Sequence, residues 1–417
     1  MQERRLLFFD SCLSYPVLTG QRMRNHKILI NLARKFDKTL YVTFFSKEEM
    51  KSMEIDIEES VAFFKKLGIN CKIFLRSQKY HPMDLLKGLF TNRPFTLYNY
   101  YSAEVATFIA KAIQEFMPTV VHSGGVLNTQ YFMVHTRDFV LGWDWHNVES
   151  EVLYRYANSN HGFTKKLYAI LTARKVRRFE RKAIPLFDLH FAVSAEDAAL
   201  VKAIAPQKSD QEKVKVCPNG TDLQEEQAIL PALFDRPRVL FVGELSYHAN
   251  AQGIVHFIEK IYPGIKAKYP LATLTIVGKN PSAELKKLAS FELSILIKGF
   301  VPDLYSCYRE CNLVVVPLLV GGGSRIKIVE AMGLKRPVLA TTLGAEGLPI
   351  KNGVHFFECN QEEDYIRALD FIFCKANSFQ LNKLCAEAFQ LVKAEFRWEA
   401  ICDHIYDYYL KKIEEKA

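Results

Sequence analysis

Short apolar runs alternate with longer amphipathic stretches along nearly the whole chain, and this alternation is the strongest constraint on its fold. Runs at 6–9, 40–44, 71–75, 120–122, 139–143, 189–193 and 214–217 read as buried strands. Helical stretches at 21–35, 47–67, 103–116 and 164–183 lie between them; in the first, Met23, Ile28, Leu29 and Leu32 share one side. Strands linked by helical crossovers imply a mainly parallel sheet wrapped by helices. The pattern breaks at Pro218-Asn219-Gly220, a turn signal, and at a polar connector over 224–236. It then resumes with strands at 238–242, 274–277, 296–298, 313–317, 338–340 and 355–357, and closes with helices at 362–375, 378–395 and 398–412. The expected fold class is α/β, with two doubly wound domains over 1–229 and 230–396; 417 residues suit two or three domains at about 150 each. In such sheets ligands bind beyond the carboxyl ends of the strands, so loops there are where chemistry is sought.

Composition removes several classes. The nine cysteines include no CxxC pair, and Cys307 and Cys311 have no histidine nearby, so neither a disulfide framework nor a zinc site is expected. A reducing, cytoplasmic compartment fits. The apolar run after Arg5 is too short for a signal segment, and no run approaches the roughly 18 apolar residues that span a bilayer. Lys plus Arg is 55 and Asp plus Glu is 46, a net +9, which favours anionic partners without suggesting nucleic acid, for which no module is recognised.

The sharpest local signal follows the strand at 313–317. Gly321-Gly322-Gly323-Ser324 leads into a helix opened by Arg325 and Lys327. Three glycines allow close backbone approach, Ser324 is a suitable N-cap, and a helix N-terminus attracts anions. Two cations in a first turn oppose the helix dipole by a few tenths to about 1 kcal/mol each, which a bound phosphate or diphosphate would offset. The plainer alternative has both side chains solvated and Lys327 paired with Glu330. The segment is neither a Walker A loop, lacking the GK[ST] ending, nor a dinucleotide fingerprint, since Ile326 breaks GxGxxG.

The stretch from Gly321 through Glu330 to Pro337-Val338 resembles the donor-site motif of family 4 glycosyltransferases, the group 1 enzymes of GT-B fold. Further segments agree in order: Gly20-Gln21-Arg22-Met23-Arg24-Asn25, Val193-Ser194, Pro218-Asn219-Gly220-Thr221-Asp222, Val242-Gly243-Glu244-Leu245-Ser246-Tyr247-His248-Ala249-Asn250, Gly299-Phe300-Val301 and Gly344-Ala345-Glu346-Gly347-Leu348. The resemblance implies two Rossmann-like domains facing across a cleft, the first for the acceptor and the second for a nucleotide-sugar. It also implies a last helix, 397–417, that packs back on the first domain. Glu330 would bind the ribose, and Arg325 and Lys327 would neutralise the leaving diphosphate. The backbone of Gly299, Phe300 and Val301 would frame the base. Gly243 and the turn from Gly321 to Ser324 would border the donor, and Gly20 would let the first loop approach the phosphates. The reaction implied retains anomeric configuration and needs neither metal nor cofactor. Its acceptor would be a glycan or lipid-linked glycan, as in cell-envelope polysaccharide synthesis.

The sequence departs from the pattern at three places. The first carboxylate of the family's E-x7-E falls on Gly322, the common Arg and Lys of the second domain's opening loop fall on Glu244 and about Gln252, and a histidine carried by some members falls on Gly124. These departures keep a non-catalytic nucleotide-sugar-binding subunit open as a second interpretation. A 2-epimerase of the same fold is a third, disfavoured by the missing carboxylate.

Other candidates lie at strand ends. Asp144-Trp145-His146-Asn147 follows the strand at 139–143; His146 is a candidate to contact sugar or acceptor with Asp144 orienting it, or else a structural histidine with Asn147 capping a helix. His122 ends a strand before a tight turn with room for a ligand, or just a turn, and is taken with His146 as a candidate catalytic residue; Asp10, His248 and Asn250 could equally serve a site or a turn. Arg22 and Arg24 open the first helix and would meet an acidic acceptor or stand exposed. The helix at 164–183 carries Lys165, Lys166, Arg174, Lys175, Arg177, Arg178, Arg181 and Lys182 over more than one face. It reads as a solvated basic helix or as a peripheral contact with the anionic inner surface of a membrane.

Overall fold

A computed structural model describes residues 3–17, 20–46, 48, 56–76, 82–133, 137–158, 163–222, 236–301, 303–320 and 325–416. The chain forms two units: Met1–Pro218 with Ile401–Ala417, and Asn219–Ala400. The chain thus passes between units at 218/219 and again at 400/401, and the sequence-based boundary near 230 falls inside the second unit.

Unit 1 contains strands β1 (Arg5–Asp10), β2 (Lys38–Ser46), β3 (Ile69–Arg76), β4 (Val120–Gly124), β5 (Val140–Trp145), β6 (Leu189–Ala192) and β7 (Val214–Val216). Its helices are α1 (Gly20–Ala33), α2 (Ile57–Lys66), α3 (Pro82–Phe90), α4 (Phe95–Asn99), α5 (Ala103–Phe116), α6 (Val126–Thr129), α7 (Glu149–Asn158), α8 (Phe163–Ala183), α9 (Ala195–Ile204) and α10 (Lys208–Glu212). The sheet is parallel, ordered β3-β2-β1-β4-β5-β6-β7. Strand order reverses between β1 and β4, so the crevice that accepts ligands in such sheets opens beside Asp10 and Gly124.

β5 shows how sequence sets the faces. Side chains alternate along a strand. Trp143 and Trp145 share one face, their rings stacked 3.8 Å apart in the core. Gly142 and Asp144 share the other, opposite His122 and Gly124 of β4. A methyl group on Gly142 would lie 2.0 Å from the Tyr409 hydroxyl, so this glycine makes room for the closing helix.

Unit 2 contains β8 (Arg238–Val242), β9 (Thr273–Val277), β10 (Ile295–Gly299), β11 (Leu313–Val316), β12 (Val338–Ala340) and β13 (Phe357–Glu358). Its helices are α11 (His248–His256), α12 (Tyr262–Lys268), α13 (Ala283–Phe291), α14 (Leu304–Glu310), α15 (Ile326–Gly333), α16 (Thr342–Ala345), α17 (Glu362–Phe373) and α18 (Ser378–Glu395), with α19 (Trp398–Lys416) entering unit 1. The sheet is parallel in the order β10-β9-β8-β11-β12-β13, reversing between β8 and β11. Apolar clusters cover both faces, which is why its strands are nearly unbroken hydrophobic runs. The nine cysteines are all free thiols. Among the described residues no helix is long and apolar enough to cross a membrane, and no cluster of His, Cys, Asp and Glu suits a metal.

Candidate functional sites

In unit 2 the switch point gathers a cationic cradle. β8 ends at Gly243, where a Cβ would lie 2.8 Å from Asn250 Nδ2 and 2.9 Å from Lys327 Nζ. Only a glycine permits α11 and α15 to bring those groups so near the strand end. Lys327 Nζ donates to Asn250 Oδ1 at 2.7 Å and sits 4.9 Å from the Phe241 ring centre, and Asn250 Nδ2 donates to the Glu244 carbonyl. Arg325 is the N-cap of α15, and its guanidinium donates to the Leu343 carbonyl at 2.8 Å with Glu346 at 3.7 Å. Arg325 is 6% and Lys327 9% exposed, so the solvated alternative is overturned. Lys327 does not reach for Glu330, which instead accepts from the Tyr308 hydroxyl at 2.9 Å.

The charges are held under tension. Burial, with Arg325 beside it, pushes the Lys327 ammonium down to about 7. Burial raises the Glu330 carboxyl to about 7, against the pull of Tyr308 and Lys327. A dianion bound here would favour the charged lysine. Gly321, Gly322, Gly323 and Ser324 lie outside the described residues. Helix α15 begins one residue later than expected, with Arg325 rather than Ser324 at its cap. Gly299 has φ +64, the left-handed conformation that glycine favours, and ends β10; Phe300 follows it exposed, its ring 4.3 Å from Lys279 Nζ, and Val301 is half-buried. His248 is exposed at the start of α11.

In unit 1 the switch point holds a second constellation. Arg24 donates two bonds to Asp144, at 2.9 and 2.6 Å, and one to the Pro218 carbonyl at 3.1 Å. Arg22 and Arg24 are both 2% exposed and Asp144 is 1% exposed. All three side chains are buried within the unit, against the expectation that they would meet the acceptor directly. The Arg24 guanidinium keeps Asp144 ionised despite burial. Gly20 opens α1, and a Cβ there would meet nothing within 4 Å, so it is not a close-approach position within the unit.

His122 is likewise corrected. It is fully buried, stacked on Phe8 at 4.7 Å and near-parallel to Phe191 at 5.8 Å, with Nδ1 bonded to the Tyr409 hydroxyl at 2.8 Å. Burial lowers its pKa to about 4, so it is a neutral core histidine.

His146 differs. Its Nδ1 accepts from Gln21 Nε2 at 3.1 Å, which leaves the proton on Nε2, 3.7 Å from Asp144. Nε2 makes no hydrogen bond among the described residues. A Cβ on Gly124 would lie 3.2 Å from His146 Cε1 and 3.3 Å from Nε2, and 3.0 Å from Asp10 Oδ1. The imidazole from the end of β5 therefore occupies the space that a side chain at 124 would fill. Asp10 accepts from the Ser11 amide at 2.6 Å and from Asn25 Nδ2; burial beside Asp144 raises it to about 8. A cavity of about 270 Å³ opens here, lined in part by Ser11, Gln21, Arg76, Tyr100, His146 and Glu149. Sequence reasoning passed over Arg76, whose guanidinium lies 4.0 Å from the Tyr100 ring, and Glu149, raised to about 7 by burial and by Glu180. Asn147 precedes α7 by two residues and is not its cap.

Two doubly wound parallel units, each with a switch point in its strand order, are the architecture of the GT-B fold. Residues 236–373 match the family described as Glycosyl transferases group 1. Solved structures with the same fold include Anabaena Alr3699/HepE in complex with UDP (15% identity, TM-score 0.64, covering 98% of this chain and 100% of that one). A second is a glycosyltransferase from Rickettsia africae (15%, 0.64, 100% of each chain), and a third is sucrose-phosphate synthase from Thermosynechococcus elongatus (16%, 0.65, 99% and 100%). A Klebsiella pneumoniae protein described as an uncharacterized 44.6 kDa protein in the cps region is 27% identical over 175 residues, 40% of this chain and 45% of that protein. The match thus spans less than half of that relative.

Proposed function

We propose that the chain is a retaining glycosyltransferase that moves a sugar from a nucleotide-sugar to a glycan or lipid-linked glycan during cell-envelope polysaccharide synthesis. One observation carries this: two nearly buried cations, Arg325 and Lys327, converge at the switch point of a group 1 domain, with the lysine pushed toward neutrality. A diphosphate leaving group restores that charge and has its own developing charge stabilised in return. Helix α15 and the two cations take the part a metal plays elsewhere, so activity should survive EDTA. Glu330, held by Tyr308, is the ribose-binding carboxylate, and Gly243, Gly299, Phe300 and Val301 border the donor. UDP and UDP-glucose complexes of HepE make uridine donors the first to test. The cps-region relative supports polysaccharide synthesis as the setting.

The unit 1 cavity receives the acceptor. There His146 supplies, from β5, the imidazole that some family members carry at the position of Gly124, and Asp144, fixed by Arg24, orients it.

A panel of nucleotide-sugars in thermal-shift assays tests the donor assignment, since a ligand that binds only the folded state at about 100 times Kd adds about 2.7 kcal/mol. Transfer or hydrolysis of the best binder follows, with product anomers read by NMR. Arg325→Ala and Lys327→Ala should each weaken nucleoside diphosphate binding; unchanged affinity in both defeats the assignment. Glu330→Ala should lose turnover while staying folded.

A further inference from the structure

Helix α8 looked evenly basic in sequence, but folding sorts its charges. Among its exposed positions, which also take in Lys166 and Lys182, are Leu167, Leu171, Arg174, Arg178 and Arg181, spaced i, i+4, i+7, i+11 and i+14. At about 100° per residue these fall within a sector of about 80°, a single stripe about 21 Å long. The only acidic residue of the helix, Glu180, is fully buried and accepts from Ser150. The exposed stripe is therefore apolar at one end, cationic along the rest, and free of carboxylates.

Helix α3 lies beside it. Lys175 Nζ of α8 donates to the Gly88 carbonyl, and the Tyr168 ring lies 6.0 Å from Phe95. On α3, Met83, Lys87 and Phe90 recur at i, i+4 and i+7; Phe90 is 86% and Met83 53% exposed. Large apolar side chains held in water on a helix packed against a basic one are unusual on a surface with no partner.

We infer that the stripe of α8 together with the Met83–Phe90 edge of α3 docks on an anionic lipid bilayer. Arginines match the headgroup charge, and Met83, Phe90, Leu167 and Leu171 match the acyl boundary just below it. A nucleic acid would use the arginines but leave those apolar side chains unmatched. The inference needs only this surface and stands whether or not the chain transfers sugar.

The test is co-sedimentation of the full chain with vesicles of phosphatidylcholine alone or mixed with phosphatidylglycerol, at low and high salt. The chain should partition onto the anionic vesicles at low salt and remain free of the neutral ones. Arg174→Glu, Arg178→Glu and Arg181→Glu combined should lower partitioning at least about tenfold. Met83→Ser with Phe90→Ser should weaken it at both salt concentrations. Lys202→Glu with Lys208→Glu, exposed on other helices, should leave it unchanged. Melting temperature and nucleotide-sugar binding should match wild type in all of them, which separates loss of docking from loss of fold or donor site. Absence of wild-type binding, binding by the triple variant equal to wild type, or retention by duplex RNA but not by vesicles would overturn the inference.

Discussion

At the scale of single residues, Lys327 and Asp10 make opposite demands on pH. The lysine's pKa falls from 10.5 to about 7 on folding, so between those values the unfolded chain binds more protons and this group's contribution to stability rises with pH. Asp10 rises from 3.8 to about 8, so across that window the folded chain binds more protons and stability falls as pH climbs. Lys327→Met should raise the melting temperature near pH 7 and remove the alkaline slope, while weakening nucleoside diphosphate binding at least about tenfold by loss of a charge-assisted contact. Binding to the wild type at pH 8 should take up protons, visible as buffer-dependent enthalpies in calorimetry. Asp10→Asn should flatten the slope between pH 4 and 8; a slope equal to wild type would show that Asp10 titrates normally. Arg325 and Lys327 stood out in the sequence because glycines and cations at a strand–helix junction leave a local signature, whereas Glu330 entered as a site residue only through the family resemblance. His146 was legible only as one of two options. What separated it from His122 is which ring folding encloses, and Phe8, Phe191 and Tyr409 come from three distant segments.

At the scale of elements, α1 is tied to β5 by one buried ion pair. Arg24→Met leaves Asp144 buried without its cation and should cost about 3–5 kcal/mol in urea denaturation; Arg24→Met with Asp144→Leu should recover much of that. Such pairs explain the errors in strand ends. β5 read as ending at Trp143 because Asp144 is polar, yet it continues to Trp145, since an arginine 120 residues away satisfies the carboxylate. Strands with unbroken apolar runs, such as β8 and β12, kept their sequence-derived limits. Helices α3 and α9 went unread: α3 is short and α9 offers only a weak stripe, so packing rather than periodicity establishes them. The basic helix was located from sequence, but its single exposed stripe emerges only once its other sides are covered.

At the scale of the molecule, α19 completes a unit begun some 390 residues earlier. Its Tyr409 fills the space left by Gly142 and bonds His122, Tyr406 accepts from Arg4, and Lys416 reaches Asp188. Gly142→Ala should cost about 1–3 kcal/mol by overpacking against Tyr409, measured as a lower denaturation midpoint. A chain ending at Ala400 should lose the unit 1 transition in differential scanning calorimetry and keep that of unit 2. Unit 2 should still bind nucleoside diphosphate.

The double passage at 218/219 and 400/401 also sets an order of events on the ribosome. Strands β1–β7 have all been made by Pro218, but the helix that closes their sheet emerges only after about 180 further residues, roughly 10–40 s of elongation. The half translated first is therefore the half that matures last, and for that interval a vacant seam along His122 and Gly142 is where a chaperone would find nascent chain to hold.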